Sequence, residues 1–481
     1  MVRPLKVLFL SAEASPLAKV GGLGDVGGEL PRALRRLGFD VRTSLPRYPA
    51  IDLEARTTRA RTEVGILRRG ESQSAAVYRQ RVRGSEVLLV DGEPVARDLQ
   101  IYGGGKEEGE KFVFWSLAVL AACQEWRWKP DVVHAHDWHS AAAVSWIHGR
   151  RLDDPFWRST ATVFTIHNLA YAGAGHEEAW QAYGLPEASG PGVADWARRL
   201  PLVGALTTAD WITTVSPTYA AQITTPEYGF GLDPILSKRR ASLTGILNGI
   251  DPALWNPAAD GALQVRFSAE TLERRERNKI ALQAELGFQA RAETPLLAFI
   301  GRMEHQKGID LALQALAMLL DLPWQAVVLG TGQAEFEAMA SSFEQGHAGR
   351  FRYRGLFDPD LARRIYGSAD MVLVPSRYEP CGLVQMIGMR YGCVPIVRAT
   401  GGLRDTVRDH ARGSGTGFTF DEPSPEALAA AIRRAMAAFN HRRAWRGLQR
   451  RAARKDFAWD RPARHYAAVY RRALRARGLR V

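Results

Sequence analysis

Twice along its length the chain runs through one rhythm, short apolar strands alternating with amphipathic helical stretches, which is how a parallel sheet covered by helices reads in sequence. The first passage holds KVLFL (Lys6–Leu10), DVVHAH (Asp131–His136), TVFTIH (Thr162–His167) and WITTVS (Trp211–Ser216), all suited to strands buried on both faces. The second starts again at PLLAFIGR (Pro295–Arg302), turns helical in GIDLALQALAMLL, and continues through QAVVLGTG and DMVLVPS (Asp370–Ser376). Two doubly wound α/β domains are expected, in keeping with a chain of 481 residues, longer than one hydrophobic core serves.

Between the passages, NGIDPALWNPAADGA from Asn248 is rich in Pro, Asn, Asp and Gly, the composition of a loop. The domain boundary is expected near Pro257, giving domains over 1–257 and 258–458. From Asp460 the pattern is helical, with Tyr466, Val469, Tyr470, Ala473 and Leu474 on one face, a stripe that must be buried against something.

A net charge of +13 suits an acidic partner, whether nucleic acid, membrane or phosphorylated small molecule, yet no aromatic-lined basic recognition module is evident. Nucleic acid and membrane partners are therefore not expected. Three cysteines lack the spacing of a zinc site or a disulfide framework, which fits a reducing cytoplasm. The apolar run VLFL near the N-terminus is shorter than a signal-peptide core.

Five motifs carry candidate chemistry. KVGGLGDVGG (Lys19–Gly28) puts glycines and a cation at a helix start, where free amides and the helix dipole favour an anion. Gly22, Gly24 and Gly27 satisfy G-x-G-x-x-G, but SAEASPLAKVG separates them from the strand, which argues against a dinucleotide site; a plain glycine-rich turn is the bland alternative. HAHDWH (His134–His139) closes a strand. Its histidines match no standard zinc spacing, so no metal is expected; Asp137 can accept sugar hydroxyls and Trp138 can offer a ring face, or the motif can simply pack. IHNLAY places His167 and Asn168 after the next strand, where both can hydrogen-bond a polyhydroxylated ligand.

GRMEHQKG (Gly301–Gly308) sets Arg302 and Lys307 after the first strand of the second domain, two cations suited to a diphosphate. SRYEPCGLVQMIGMRYG (Ser376–Gly392) leads from a strand through Glu379 into a helix, so Glu379 is either a carboxylate facing a sugar or an ordinary acid near a helix N-terminus.

In the order KVGGLGDV, HAHDWH, TIHN, TTVSPTYA, ILNGID, GRMEHQKG, EPCGL and TGGL, these motifs resemble glycosyltransferase family 5, the glycogen and starch synthases, over nearly the whole chain. The resemblance implies a GT-B fold, two doubly wound domains facing across a cleft, with a C-terminal helix over 459–481 crossing back to the first domain. It implies a retaining transfer of glucose from ADP-glucose, or alternatively UDP-glucose, to an α-glucan such as glycogen, with no cofactor. By the same resemblance Lys19, Gly21, Gly22 and Asp25 form the donor loop. Arg302 and Lys307 clamp the diphosphate with the backbone around Cys381, Gly382 and Leu383. Asp137, Trp138 and His139 meet the acceptor, His167, Asn168, Asn248 and Glu379 surround the transferred glucose, and Phe357 stacks on the base. Val20 and Val384 stand where Thr is frequent in the family and Phe357 where Tyr is, so donor preference is the property these departures touch. A phosphorylase would need a pyridoxal phosphate lysine, an oxidoreductase would bind NAD(P), and a non-catalytic basic protein would bind nucleic acid with steep salt dependence.

Overall fold

The computed structural model describes residues 3–51 and 58–479. They form two compact units, one of residues up to Gly249 together with those from Trp459 onward, the other of Ile250–Ala458. The change of unit at Gly249 precedes Pro257 because the Ile250 amide already bonds the Phe457 carbonyl, and Asp260 further on is held by Tyr391 and Arg363.

The first unit is built on a nine-stranded sheet. Its strands are β1 (Lys6–Leu10), β2 (Asp40–Pro46), β3 (Thr58–Arg68), β4 (Glu71–Val82), β5 (Ser85–Asp91), β6 (Val132–His136), β7 (Ala161–Ile166), β8 (Trp211–Thr214) and β9 (Leu243–Gly245). They lie in the order β3-β4-β5-β2-β1-β6-β7-β8-β9. The strands from β5 to β9 in that order pair in parallel, whereas β3, β4 and β5 run antiparallel.

The second sheet holds β10 (Leu296–Ile300), β11 (Gln325–Leu329), β12 (Phe351–Arg354), β13 (Met371–Val374), β14 (Val394–Arg398) and β15 (Phe418–Phe420), all parallel, in the order β12-β11-β10-β13-β14-β15. Alternation along β10 sends Leu297 and Phe299 to a core on one face and Leu296 and Ala298 to a core on the other, as a sheet covered on both sides requires. In each sheet the strand order reverses beside the first strand, between β1 and β6 and between β10 and β13. Such a switch point leaves a crevice beyond the carboxyl ends of the strands.

The C-terminal helix Asp460–Ala476 buries Tyr466, Val469, Tyr470, Ala473 and Leu474 in the first unit, against Phe9 of β1, Val163 of β7 and Val26 and Leu30 of the helix Gly22–Arg36. Among the described residues no helix is long and apolar enough to cross a membrane.

Candidate active site

Beyond β1 the chain turns through Lys19–Gly22, four exposed residues in succession, and starts the helix Gly22–Arg36. The turn is held from beneath by Glu13. This buried carboxylate accepts the amides of Val20 at 2.6 Å and Gly21 at 2.9 Å through one oxygen and the Tyr102 hydroxyl at 2.6 Å through the other. The amides of Val20 and Gly21, expected to face an anion, are therefore turned inward; Lys19 at the surface pairs with Asp25 at 2.6 Å. The glycines serve this packing. A Cβ on Gly24 would lie 2.9 Å from the Lys19 side chain, and one on Gly27 would collide with the Glu13 carbonyl.

Beyond β6, HAHDWH divides its residues between core and site. His134 bonds the Tyr470 hydroxyl of the C-terminal helix at 2.9 Å and Thr165 at 2.7 Å, so it ties helix to sheet. His136 bonds His167 at 2.8 Å through one ring nitrogen, and its other, buried, finds no partner among the described residues. Burial holds His134, His136 and His139 well below the usual imidazole range and His167 at about 3, so all four are neutral near pH 7.

Asp137 stands at φ 55°, a left-handed value few side chains other than Asp and Asn adopt. That turn lets its carboxylate accept the His167 amide at 2.7 Å and so join the end of β6 to the end of β7. Burial pushes the Asp137 carboxyl up to about 7, against the backbone amides of His167 and Asn168, which pull it down. Asn168 turns its own loop, its side-chain oxygen accepting the Ala170 amide. Trp138 packs, the second of the two alternatives its motif offers: it is 7% exposed, stacked on His176 at 4.6 Å and edge-on to Phe112. His139 is buried beside it, 5.0 Å from the Tyr102 ring, with Nδ1 unpartnered among the described residues. Asn248, beyond β9, is likewise buried with an unpartnered Oδ1. Buried polar atoms of this kind are suited to hydrogen-bond a polar ligand.

The second unit repeats the arrangement. Arg302 and Lys307 follow β10; Arg302 is half-exposed and pairs with Glu304 at 2.9 Å. Lys307 reaches across the switch point to Glu379, beyond β13, with its ammonium 3.0 and 2.7 Å from the two carboxylate oxygens. The Ser376 hydroxyl donates to Glu379 at 2.9 Å, and the Glu379 carbonyl accepts the amide of Gly402 in the TGGL turn. Glu379 is 5% exposed, so its charge is fixed in position. Gly382 holds φ 75°, and Gln385 ties the turn by donating to the carbonyls of Cys381 and Gly382, with Leu383 opening the helix Val384–Arg390. Phe357, beyond β12, is 83% exposed with its ring free to stack.

Each unit thus gathers its expected residues beyond the carboxyl ends of its strands. Glu13, Tyr102 and Ser376 were not singled out from sequence. Glu13 had a faint signal, an acid directly after a strand in SAEAS; Tyr102 had none, since its loop is placed by Lys111, whose buried ammonium bonds Asp98 and the carbonyls of Gln100 and Ile101. Among the described residues no group of His, Cys, Asp and Glu is arranged to hold a metal ion.

Residues 6–238 match the family model described as starch synthase catalytic domain, and residues 287–451 the model described as glycosyl transferases group 1. The chain is 41% identical to glycogen synthase 2 of Geobacter sulfurreducens over 98% of its own length and 100% of that protein. It is 40% identical to glycogen synthase 1 of a Synechocystis species, over 97% of this chain and 95% of the other. Among solved structures, the catalytic domain of starch synthase IV from Arabidopsis thaliana, bound to ADP and acarbose, superimposes with a TM-score of 0.88 at 32% identity, covering 98% of this chain and 100% of that one.

Proposed function

We infer, from the premise that this chain belongs to the glycogen and starch synthase family, a cytoplasmic hexosyltransferase that uses ADP-glucose as donor and needs neither metal nor cofactor. It is a glycogen synthase, and its product is a 1,4-α-glucan lengthened by one glucose at the non-reducing end. ADP as the leaving nucleotide is supported by the starch synthase IV relative, which binds ADP and acarbose. The observation that carries the mechanism is the Lys307–Glu379 pair at the second switch point.

In the reaction the bond from glucose C1 to the β-phosphate oxygen breaks, and the 4-hydroxyl of the acceptor bonds to C1 on the same face, which retains the anomeric configuration. The departing phosphate oxygen on that face takes the hydroxyl proton. Arg302 and Lys307 neutralise charge on the leaving diphosphate, a task for which preorganised cations suffice. Glu379, fixed by Lys307 and Ser376, stabilises the oxocarbenium-like sugar electrostatically. In the first unit, Lys19, Gly21, Gly22 and Asp25 form the donor turn, while Asp137, His139, His167, Asn168 and Asn248 accept or donate hydrogen bonds to sugar hydroxyls. Neutral His139 and His167 suit that role better than proton transfer.

Incorporation of labelled glucose into glycogen from ADP-glucose and UDP-glucose in parallel, with EDTA in half the reactions, tests this reading. Transfer from ADP-glucose unaffected by EDTA supports it. Preference for UDP-glucose overturns the donor, and loss with EDTA overturns the metal independence.

A further inference from the structure

At the amino ends of the strands in the second sheet, the edge away from Lys307 and Glu379, lies a cavity of about 30 Å³. Asp370, which precedes β13 and accepts the Leu296 amide at the start of β10, marks that edge. Arg275 and Lys279 line the cavity from the helix Arg275–Glu285, and Arg442, Trp445 and Arg446 from the helix Arg442–Ala453. Against these four cations stand two carboxylates, Asp370 and Glu276.

The carboxylates do not balance the site. Asp370 is engaged by Lys279 at 2.6 Å and by the Leu296 amide, and Glu276 sits 3.9 Å from Arg446, a loose pair. Arg442 spends one nitrogen on the Ala292 carbonyl at 3.3 Å. Two donors remain unused: Nε of Arg275 and Nε1 of Trp445, both buried, have no hydrogen-bond partner among the described residues. Burial lowers the Lys279 ammonium from its usual range, Asp370 raises it, and the charges of Arg442 and Arg275 lower it further. Excess positive charge beside buried, unpaired donors is relieved by an anion. The volume accommodates a few waters or one tetrahedral oxyanion.

We propose that this cavity is a binding site for a small oxyanion, inorganic phosphate or the phosphoryl group of a phosphomonoester, separate from the donor site. The oxyanion accepts hydrogen bonds from Trp445 and Arg275 within the cavity and is closed over by Arg442 and Arg446 at its mouth.

The test uses the full chain with saturating ADP, so that cations of the donor site are occupied, at constant ionic strength set with potassium chloride. Thermal unfolding is followed against inorganic phosphate and, in a second arm, glycerol phosphate. A bound anion raises Tm along a saturating curve by mass action. Half-saturation is expected to move upward by about tenfold, the worth of one charge-assisted hydrogen bond, in the double variant Arg442→Gln/Arg446→Gln, and to move upward also in Trp445→Phe, which keeps the ring and deletes the donor. Saturation by inorganic phosphate alone identifies the free ion, and saturation by both identifies a phosphoryl site. A Tm that rises without saturating, or identically in wild type and both variants, means that the cavity holds water only and overturns the proposal.

Discussion

Ser376 donates its hydroxyl to the same Glu379 oxygen that Lys307 approaches most closely, at 2.9 and 2.7 Å. The carboxylate is therefore held from two sides by residues of different loops, one beyond β10 and one at the end of β13. Removing the hydroxyl leaves the ion pair but frees one rotation of the carboxylate. Ser376→Ala is expected to lower kcat by about tenfold, the order of one misplaced positioning contact, with KM for the donor changed little. Steady-state kinetics check this, and an unchanged kcat would remove Ser376 from the positioning group.

Glu13 holds the Lys19–Gly22 turn, proposed to meet the donor, from inside the fold. Glu13→Ala removes the one oxygen that accepts both the Val20 and the Gly21 amide, so both hydrogen bonds are lost. The turn shifts while Lys307 and Glu379 stay in place. KM for the donor is expected to rise by about tenfold with kcat changed less, as for lost uniform binding. Equal falls in kcat and kcat/KM would place Glu13 in the chemical step instead.

Exposure of Phe357 separates binding from stability at that position. With 83% of its surface in water, Phe357→Ala should leave the urea midpoint unchanged, since little apolar area is withdrawn from the core. It should raise KM for ADP-glucose several-fold by removing a stacking face, a loss of about 1 kcal/mol. A donor KM equal to wild type would discard the stacking role.

Acid stability follows from the buried imidazoles. His134, His136, His139 and His167 have folded pKa values below the ordinary value, with His167 at about 3. Their contribution is present above pH ~6.5 and is lost as pH falls from there toward the folded values, because the unfolded chain binds protons first. Asp137, raised to about 7, acts oppositely: its contribution is present below pH ~4 and is lost as pH rises toward 7. Four groups against one leave a net loss on acidification, about 1.4 kcal/mol per pH unit for each unbalanced proton. Urea unfolding at pH 7, 6 and 5 should show falling stability, and a flat profile would contradict the buried neutral histidines.

Parallel strands such as β1, β6, β7, β10 and β13 were legible because burial on both faces leaves uninterrupted apolar runs, as in VLFL and VVHAH, whereas β2, β5, β9, β12, β14 and β15 were not singled out. Nor were the antiparallel β3 and β4. Their segment mixes Arg, Glu and Ser with Val64, Ile66 and Val77, the composition of a sheet edge that meets water on one side. The stripe on the C-terminal helix was visible from its spacing; that Tyr470 within it bonds His134 was not, because spacing gives a face and not a partner. In the same way HAHDWH fixed the place of Asp137 at a strand end but could not say that Trp138 turns inward against His176. Lys307 and Glu379 were each readable from a local motif. Their ion pair required the order of β10 and β13, a relationship only the fold supplies.

Turnover of Glu379→Ala and Lys307→Ala, measured with saturating ADP-glucose and glycogen alongside circular dichroism to verify folding, tests the catalytic assignment most directly. Loss of preorganised charge at the reacting centre is expected to lower kcat by about a hundredfold or more in each folded variant. Near-normal turnover in both, with the fold intact, would contradict it.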